Sequence, residues 1–204
     1  MDIWDLRSRM YDQLEASDRR RWTAKRKLFA RARGRTLLVA AGTGIDFQHL
    51  PATHVTAVDL SAAMLNRARH RVDDGPARVR LLRTDALQLP FQAAAFETVV
   101  TSCTMCSVPH PAVALQEISR VLRPDGRLLM FEHVRSRHVL LGLTLDLMTL
   151  WTRFTGTDMN RDTLRSVREA HFVVRRVESV FLDIIVAVEA TKPVSSDACR
   201  AAAD

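Results

Sequence analysis

The sequence contains little cysteine, glycine or proline, with 3, 7 and 7 of these residues among 204. So few cysteines exclude a disulfide scaffold, and the low glycine and proline content excludes collagen-like and low-complexity chains. An odd cysteine count fits a reducing compartment, so we expect a cytoplasmic protein. The chain has no basic stretch leading into an apolar run near Met1 and no window of roughly 18 uncharged apolar residues. We therefore expect neither a secretory leader nor a membrane span.

Lysine is also scarce, and the basic charge is unevenly placed. Only Lys25, Lys27 and Lys192 are lysines among 30 basic residues, and the formal net charge is +7. Most of this excess lies in residues 1–35, a basic arm with 11 Lys and Arg residues against 5 acids. We expect the arm to be mainly a solvated surface, because an arginine-rich composition explains the same excess. Clustered cations also attract phosphate, so peripheral contact with an anionic membrane stays open, whereas nucleic acid is not expected as a partner.

Short apolar runs rich in β-branched residues alternate with helical patterns, which is typical of βαβ units around a parallel sheet. The predicted strands are 36–39, 55–58, 79–82, 96–101, 127–131, 173–181 and 184–189. One predicted helix begins after the N-cap residue Ser61, and two others cover 112–122 and 163–170. The fold class is therefore α/β, with a doubly wound, Rossmann-like, mostly parallel sheet of seven strands and an antiparallel C-terminal edge hairpin. We expect one domain over 1–192, with a helical basic arm at 1–35, and a disordered tail at 193–204.

The segment 136–160 is unusually apolar. A helix over 138–154 would have one narrow polar stripe, and its other faces are nearly all Leu, Met, Trp or Phe. Such a helix is buried, covers an apolar ligand or lies in a membrane interface. Our hypothesis is that it caps an acceptor pocket, so that Leu147→Arg impairs use of the acceptor and spares affinity for the cofactor.

The first predicted strand leads directly into a turn of small residues that contains Gly42 and Gly44. Such a turn lies at the carboxyl edge of a parallel sheet, where ligands bind, and glycine lets the backbone approach a ligand. The second strand ends at Asp59, whose carboxylate can accept hydrogen bonds from both hydroxyls of a ribose. The dinucleotide fingerprint requires glycine or alanine at the position of Phe47, so a nicotinamide-dinucleotide fold is rejected.

Five landmarks follow in order along residues 11–190. They are Gly42 with Gly44; Val58-Asp59-Leu60-Ser61 with Met64; Thr84-Asp85-Ala86 with Leu89-Pro90-Phe91; Phe96-Glu97-Thr98-Val99-Val100; and Arg120-Val121-Leu122-Arg123-Pro124-Asp125-Gly126. With them the chain resembles the class I S-adenosylmethionine-dependent methyltransferases, especially the group of ubiquinone/menaquinone C-methyltransferases and phospholipid N-methyltransferases. It is also similar to membrane-associated thiol S-methyltransferases at Met105-Cys106-Ser107-Val108 and Met130-Phe131-Glu132-His133-Val134.

The resemblance implies S-adenosylmethionine as cofactor and a place along it for ten residues. Those implied along its methionine part are Ala40, Gly42 and Gly44. Those implied around its adenosine part are Asp59 on the ribose, Leu60 and Met64 flanking the adenine, and Asp85 and Ala86 at the adenine amino group. Ser102 is implied at the sulfonium end, and Tyr11 in a segment that covers the site. Two alternatives stay open: Met64 as a core residue of its helix, and Asp85 as the start of a turn.

Two residues depart from the family pattern. Leu38 replaces an acidic residue, and Ala40 replaces the first glycine of the turn. Loss of the acid would remove an acceptor near the cofactor's ammonium group, worth about 1–3 kcal/mol. The resemblance implies an enzyme that methylates a small or lipophilic acceptor, namely a thiol, a quinol or phenol, or a phospholipid amine. The alternative is a non-catalytic module with a degenerate cofactor site that binds a membrane or a partner.

Methyl transfer from a sulfonium mainly requires alignment and exclusion of water, so a general base is optional. For a thiol or phenol acceptor, a histidine with a pKa of about 6.5 could take the proton. His133, at the end of the fifth strand, is the first candidate and His110 the second; the alternative for both is a surface or loop histidine. Cys103 and Cys106 are expected to line a pocket wall rather than bind a metal, because no second ligand pair accompanies them.

Overall fold

The computed structural model describes residues 12, 18–136, 138–152, 157–158 and 160–194. Tyr11 and residues 195–204 of the predicted tail therefore lie outside the described residues. The strands are β1 (Thr36–Val39), β2 (His54–Asp59), β3 (Arg78–Arg83), β4 (Phe96–Ser102), β5 (Leu122–His133), β6 (Val173–Phe181) and β7 (Ile185–Thr191). The helices are α1 (Arg19–Phe29), α2 (Ala62–Ala68), α3 (Pro111–Val121), α4 (Val139–Thr152) and α5 (Thr163–Glu169), with short 3-10 helices at Phe47–His49 and Arg69–Arg71.

The strands form one sheet in the order β3-β2-β1-β4-β5-β7-β6. Strands β1 to β5 pair in parallel, and β7 runs antiparallel to both β5 and β6. The predicted doubly wound α/β fold with a C-terminal hairpin is confirmed. Because β7 lies between β5 and β6, the antiparallel strand is inside the sheet and β6 forms its edge. The strand order reverses between β1 and β4, and ligands bind at the carboxyl ends of strands at such a point.

Alternation along the strands divides the core into two layers. Leu37 and Val39 pack in one layer, together with the buried face of α3, whereas Leu38 packs in the other, together with Leu28 and Phe29 of α1. Side chains point to opposite faces of a strand at successive residues, so both faces of β1 need a covering layer. The parallel strands at the centre of the sheet are thus buried on both faces. The polar residues at their ends are therefore the ones available to form a site.

Helix α1 belongs to the folded domain rather than to a free arm. It begins at the N-cap residue Asp18, whose carboxylate accepts a hydrogen bond from the backbone N–H of Arg20. Cations of α1 and the residues after it pair with acids of the domain, namely Lys25 with Asp46, Lys27 with Glu178 and Arg31 with Glu189. Part of the basic excess of residues 1–35 is therefore balanced within the fold.

Helix α4 presents an apolar face to solvent. Leu145 and Thr149 are buried, whereas Leu140, Leu143 and Leu147 are exposed, Leu147 by 63%. Core burial, one of the three interpretations of this segment, is wrong for this face. None of the described helices combines the length and the apolar character needed to cross a bilayer.

Candidate active site

A cavity of about 410 Å³ opens at the carboxyl ends of β1, β2 and β4, where the sheet order reverses. This volume lies within the range of about 300–1,000 Å³ that is usual for ligand pockets. Of the ten residues implied by the resemblance, eight line it: Ala40, Gly42, Asp59, Leu60, Met64, Asp85, Ala86 and Ser102. The fold thus brings these residues around one space, and their contacts to a cofactor stay a prediction.

Asp59 links the end of β2 to the glycine turn after β1. Its Oδ2 accepts a hydrogen bond from the backbone N–H of Gly42 at 2.8 Å, and its Oδ1 accepts one from Ser61 N–H at 2.9 Å. A carboxylate has about four lone-pair sites, so it can accept hydrogen bonds from several donors at once. The carboxylate is therefore held in position at the cavity wall.

The turn after β1 needs left-handed backbone at three positions. The φ angles are +54° at Ala40, +57° at Gly42 and +79° at Gly44. Gly44 does not line the cavity among the described residues; a Cβ there would lie 2.6 Å from the ring of Phe47. Phe47 is fully buried and begins a 3-10 helix, so no long helix starts at this turn. The structure agrees with the rejection of a dinucleotide fold.

Two substitutions in this turn are expected to change the free energy of unfolding in opposite directions. Gly44→Ala is expected to lower the free energy of unfolding by about 2 kcal/mol, because the left-handed φ and the contact with Phe47 both oppose a Cβ. Ala40→Gly is expected to raise it by about 0.5 kcal/mol, because alanine pays for a left-handed φ that glycine adopts readily. Urea unfolding of the two variants measures both changes. Changes of the same sign in the two variants would contradict this account of the turn.

Leu38 packs in the core and not at the cavity. Its side chain is buried in the layer that contains Leu28 and Val100, and it is not among the described residues that line the cavity. An acid at this position would lie in an apolar layer. The expected loss of an acceptor beside the cofactor is therefore not supported at Leu38, and of the two departures only Ala40 reaches the cavity.

The alternatives for Met64 and Asp85 agree with the structure, and both residues also line the cavity. Met64 is buried on α2 and also lines the cavity. Asp85 begins a turn, because its Oδ1 accepts a hydrogen bond from Leu87 N–H at 2.9 Å, and it also lines the cavity. A core role and a ligand role are thus compatible at each position.

Ser102 and His133 bring polar atoms to the cavity from the ends of β4 and β5. Ser102 Oγ and His133 Nδ1 are buried and have no hydrogen-bond partner among the described residues. Burial, reinforced by the positive charges of Arg21 and Lys25, lowers the pKa of His133 to about 4. The imidazole is therefore neutral near pH 7, so it can accept a hydrogen bond but is a weak base.

Two other expectations about the acceptor end are not supported. His110 is exposed at the N-cap of α3 and is not among the described residues lining the cavity. No described side chain of α4 lines the cavity either, and the segment after that helix contributes Thr157. Because Leu147 faces solvent, the described contacts give no reason for Leu147→Arg to impair use of the acceptor.

Cys103 and Cys106 both line the cavity, as expected for a pair without further metal ligands. The Cys106 thiol donates a hydrogen bond to the Cys103 carbonyl oxygen at 3.2 Å. Burial, together with the nearby Glu132, raises the pKa of the Cys106 thiol to about 12. This thiol is therefore protonated at neutral pH. Within the described ranges, no three His, Cys, Asp or Glu side chains come close enough to hold a metal ion.

Arg21 is a cavity residue that sequence analysis did not single out. Its Nη2 donates a hydrogen bond to Cys103 Sγ at 3.3 Å, and its guanidinium lies 5.6 Å from the centroid of the Phe131 ring. Helix α1 carries it to the cavity, which Cys103 and His133 also line. Its only signal in the sequence was membership of the basic arm.

Glu132, which sequence analysis also did not single out, holds the loop after β4 by hydrogen bonds. It is fully buried, and its carboxyl group accepts hydrogen bonds from the Thr101 hydroxyl at 2.8 Å and from the N–H groups of Thr104 and Met105, both at 3.1 Å. Burial raises its pKa to about 7. Glu132 therefore positions the loop that carries Cys103 and Cys106 to the cavity.

Asp12 attaches the N-terminal part of the chain to the glycine turn. Its carboxylate accepts a hydrogen bond from Thr43 Oγ1 at 2.5 Å and pairs with Arg71 at 2.9 Å. Arg71 in turn donates to the Thr43 carbonyl oxygen at 3.0 Å. The contacts among Asp12, Thr43 and Arg71 thus link the residue next to Tyr11 to the turn that contains Gly42 and Gly44.

Comparisons with known proteins agree with this geometry. A family profile described as a methyltransferase domain matches residues 37–130. The demethylmenaquinone methyltransferase of Clavibacter sepedonicus is 40% identical over 100 residues, which are 48% of this chain and 40% of that protein. The phosphatidylethanolamine N-methyltransferase of Cereibacter sphaeroides is 36% identical over 135 residues, 64% of each chain. The chain thus spans less than two thirds of the length of these relatives.

A solved structure shows the same fold along nearly the whole chain. The S-adenosylmethionine-dependent methyltransferase of Aquifex aeolicus superposes with a TM-score of 0.63 at 17% identity, covering 94% of this chain and 99% of that one. The strand order, the position of the cavity where that order reverses, and the residues matched by the family profile are therefore consistent with one another. Over the matched residues the chain is therefore similar to S-adenosylmethionine-dependent methyltransferases, and it has the fold of the solved one.

Proposed function

We propose that this protein transfers a methyl group from S-adenosylmethionine to a small or lipophilic acceptor. The observation that carries the proposal is the carboxylate of Asp59, which the N–H groups of Gly42 and Ser61 hold at the cavity wall, where a ribose diol would bind. The relatives named above act, by their names, on demethylmenaquinone and phosphatidylethanolamine. A thiol, a quinol or phenol, or a phospholipid amine is accordingly the acceptor class.

The residues at the cavity fit this cofactor. Asp59 would hold the ribose hydroxyls, and Leu60 and Met64 would flank the adenine as apolar neighbours. The buried hydroxyl of Ser102, which has no partner among the described residues, supplies a hydrogen-bonding group toward the methionine end. When bound, S-adenosylmethionine supplies a methyl group activated by the positive charge of its sulfonium.

The protein's own residues then have to orient the acceptor and exclude water. His133 is neutral at pH 7, and its Nδ1 can accept a hydrogen bond from an acceptor S–H or O–H group. The loop held by Glu132 places Cys103 and Cys106 along the same wall. These groups align the acceptor, and none of them has to act as a strong base.

Two measurements test the proposal. Calorimetric titration of the protein with S-adenosylhomocysteine is expected to show micromolar binding. Incubation with isotopically labelled S-adenosylmethionine and a panel of thiols, quinols, phenols and amino lipids is expected to give a product heavier by one labelled methyl group. No binding at millimolar ligand would instead support the non-catalytic module, which the alanine at position 40 and the exposed leucines of α4 favour. Contact with an anionic membrane stays a prediction of the charge pattern.

A further inference from the structure

The connection between β3 and β4, residues 84–95, carries two cavity residues without a helix to hold them. Asp85 and Ala86 line the cavity at the end assigned to the adenosine, and the described residues between Arg83 and Phe96 form no helix. A segment outside helices and sheets leaves many of its backbone groups without partners of its own, so other groups have to bind them. The position of Asp85 and Ala86 therefore depends on what holds this loop.

Helix α3 supplies such groups from two side chains one turn apart, Glu117 and Arg120. Glu117 Oε2 accepts a hydrogen bond from the backbone N–H of Leu89 at 2.8 Å. The guanidinium of Arg120 donates to the carbonyl oxygens of Leu89, at 2.8 Å, and of Phe91, at 2.6 Å. One turn of α3 thus binds three backbone groups of the loop.

Glu117 and Arg120 also hold each other. Nε and Nη2 of Arg120 donate to the two carboxylate oxygens of Glu117 at 2.7 and 2.8 Å, a bidentate geometry that is more directional than a single ion pair. These hydrogen bonds keep the pKa of Glu117 below its ordinary value, so the carboxylate is ionised at neutral pH and accepts from Leu89. Because the apolar face of α3 is buried in the core, the pair is attached to a fixed part of the fold.

Short hydrogen bonds connect the held part of the loop to Asp85. The N–H of Gln88 donates to the Asp85 carbonyl oxygen at 3.1 Å, and the N–H of Leu87 donates to Asp85 Oδ1 at 2.9 Å. Before this turn, the N–H of Thr84 donates to the Asp59 carbonyl oxygen at 3.1 Å. The turn that contains Asp85 is therefore held by β2 on one side and by α3 on the other, and loss of the pair on α3 would release one of the two.

Under the proposed function, on which this inference rests, we propose that Glu117 and Arg120 are positioning residues that determine how strictly the cavity selects adenine. Asp85 is implied at the adenine amino group, and its carboxylate can accept from an amino group but has no donor for a carbonyl at the same position. Such selection depends on geometry, because a displacement of about 1 Å weakens a hydrogen bond steeply. Neither Glu117 nor Arg120 is among the described residues that line the cavity, so the pair acts through the loop.

The test compares S-adenosylhomocysteine with S-inosylhomocysteine, in which a carbonyl replaces the amino group of the base. Calorimetric titration gives the two dissociation constants, and their ratio measures selection for adenine. Wild type is expected to favour S-adenosylhomocysteine by at least about tenfold, and Arg120→Ala to lower this ratio to about threefold or less. Arg120→Lys keeps the charge without the bidentate geometry, and Glu117→Gln keeps an acceptor for the Leu89 N–H, so both are expected to give intermediate ratios.

Arg123→Ala is the matched control. This arginine follows α3 and also pairs with a glutamate, but its partner is Glu97 of β4, at 2.7 Å, rather than a group of the loop. Its ratio is expected to equal that of wild type. Hydrogen exchange measured by mass spectrometry is expected to be faster than in wild type at Leu87 to Leu89 in Arg120→Ala and unchanged there in Arg123→Ala. Circular dichroism confirms that each variant is folded.

The contrary outcomes are distinguishable. An unchanged ratio in Arg120→Ala would overturn the inference even if both affinities fall, because the pair would then serve stability alone. If Arg120→Ala does not fold, ratios equal to wild type in both Arg120→Lys and Glu117→Gln would overturn it. A ratio near one in wild type, or an equal fall in Arg123→Ala, would also overturn it and leave cofactor binding standing. Failure of wild type to bind either ligand would reject the proposed function, and this inference with it.

Discussion

Asp59→Ala is expected to weaken binding of S-adenosylhomocysteine by at least about 100-fold. Hydrogen bonds from ribose hydroxyls to a carboxylate contribute about 1.5–3 kcal/mol each, and alanine removes both acceptors. The same change removes the acceptor for the N–H groups of Gly42 and Ser61, so the turn is loosened as well. Calorimetric titration measures the affinity, and urea unfolding measures the stability of the turn separately.

Two variants serve as controls for this experiment. Asp59→Asn keeps one oxygen acceptor and is expected to fall between wild type and alanine in affinity. Asp73→Ala removes an exposed acid from the region after α2 and is expected to leave the affinity unchanged. An affinity within about threefold of wild type for Asp59→Ala would mean that the ribose is held elsewhere.

Glu132→Ala is expected to be the most destabilising single substitution proposed here, costing about 4 kcal/mol or more of the free energy of unfolding. The change leaves three buried donors, on Thr101, Thr104 and Met105, without an acceptor, and each costs about 1–3 kcal/mol. Urea or thermal unfolding measures the loss. The exposed Glu169, which pairs with Arg165 at 2.7 Å, is the comparison, and Glu169→Ala is expected to cost no more than about 0.5 kcal/mol. Similar losses in the two variants would contradict the role assigned to Glu132.

The pH dependence of the free energy of unfolding gives a second test of the Glu132 carboxyl group. Burial raises the pKa of folded Glu132 to about 7, so between the ordinary glutamate pKa and about pH 7 the folded state holds a proton that the unfolded state has released. Stability from this group is therefore present at low pH and lost as pH rises through about 7. The lowered pKa of His133 acts in the opposite sense over about pH 4 to 6.5. Glu132→Gln keeps His133, so the difference between wild type and this variant isolates the carboxyl group and should fall with rising pH.

The parallel sheet could be predicted because its strands carry their own signal. Residues such as Leu37, Leu38 and Val39 are all apolar, as expected of a strand buried on both faces, and turns bound each run. Asp59 could be predicted as a site residue for a related reason. A polar side chain directly after a buried strand has to lie at the carboxyl edge of the sheet, where β1 and β2 are neighbours.

The part of the cavity lined by Arg21, Cys103 and His133 was harder to predict from the sequence, because its residues come together only through tertiary contacts. Arg21 is one of 11 cations in the first 35 residues, and only the packing of α1 on β5 decides which of them reaches the cavity. Glu132 was quoted as part of a landmark, but its function requires the loop after β4 to fold onto it. His110 and α4 were misplaced because spacing does not show the path of a loop or the partner of an apolar face.

The position of β7 inside the sheet bears on synthesis of the protein. Residues Glu132 and His133 of β5 pair with Val186 and Ile185 of β7, about 50 residues further along the chain. The first five strands can form on the ribosome as the chain emerges, whereas β7, which pairs with β5, is the last of the seven described strands to be made. A nascent chain can therefore complete the side of the cavity formed by β1 to β3 well before β7 pairs with β5, so the proposed methyl transfer is expected only after translation has passed β7.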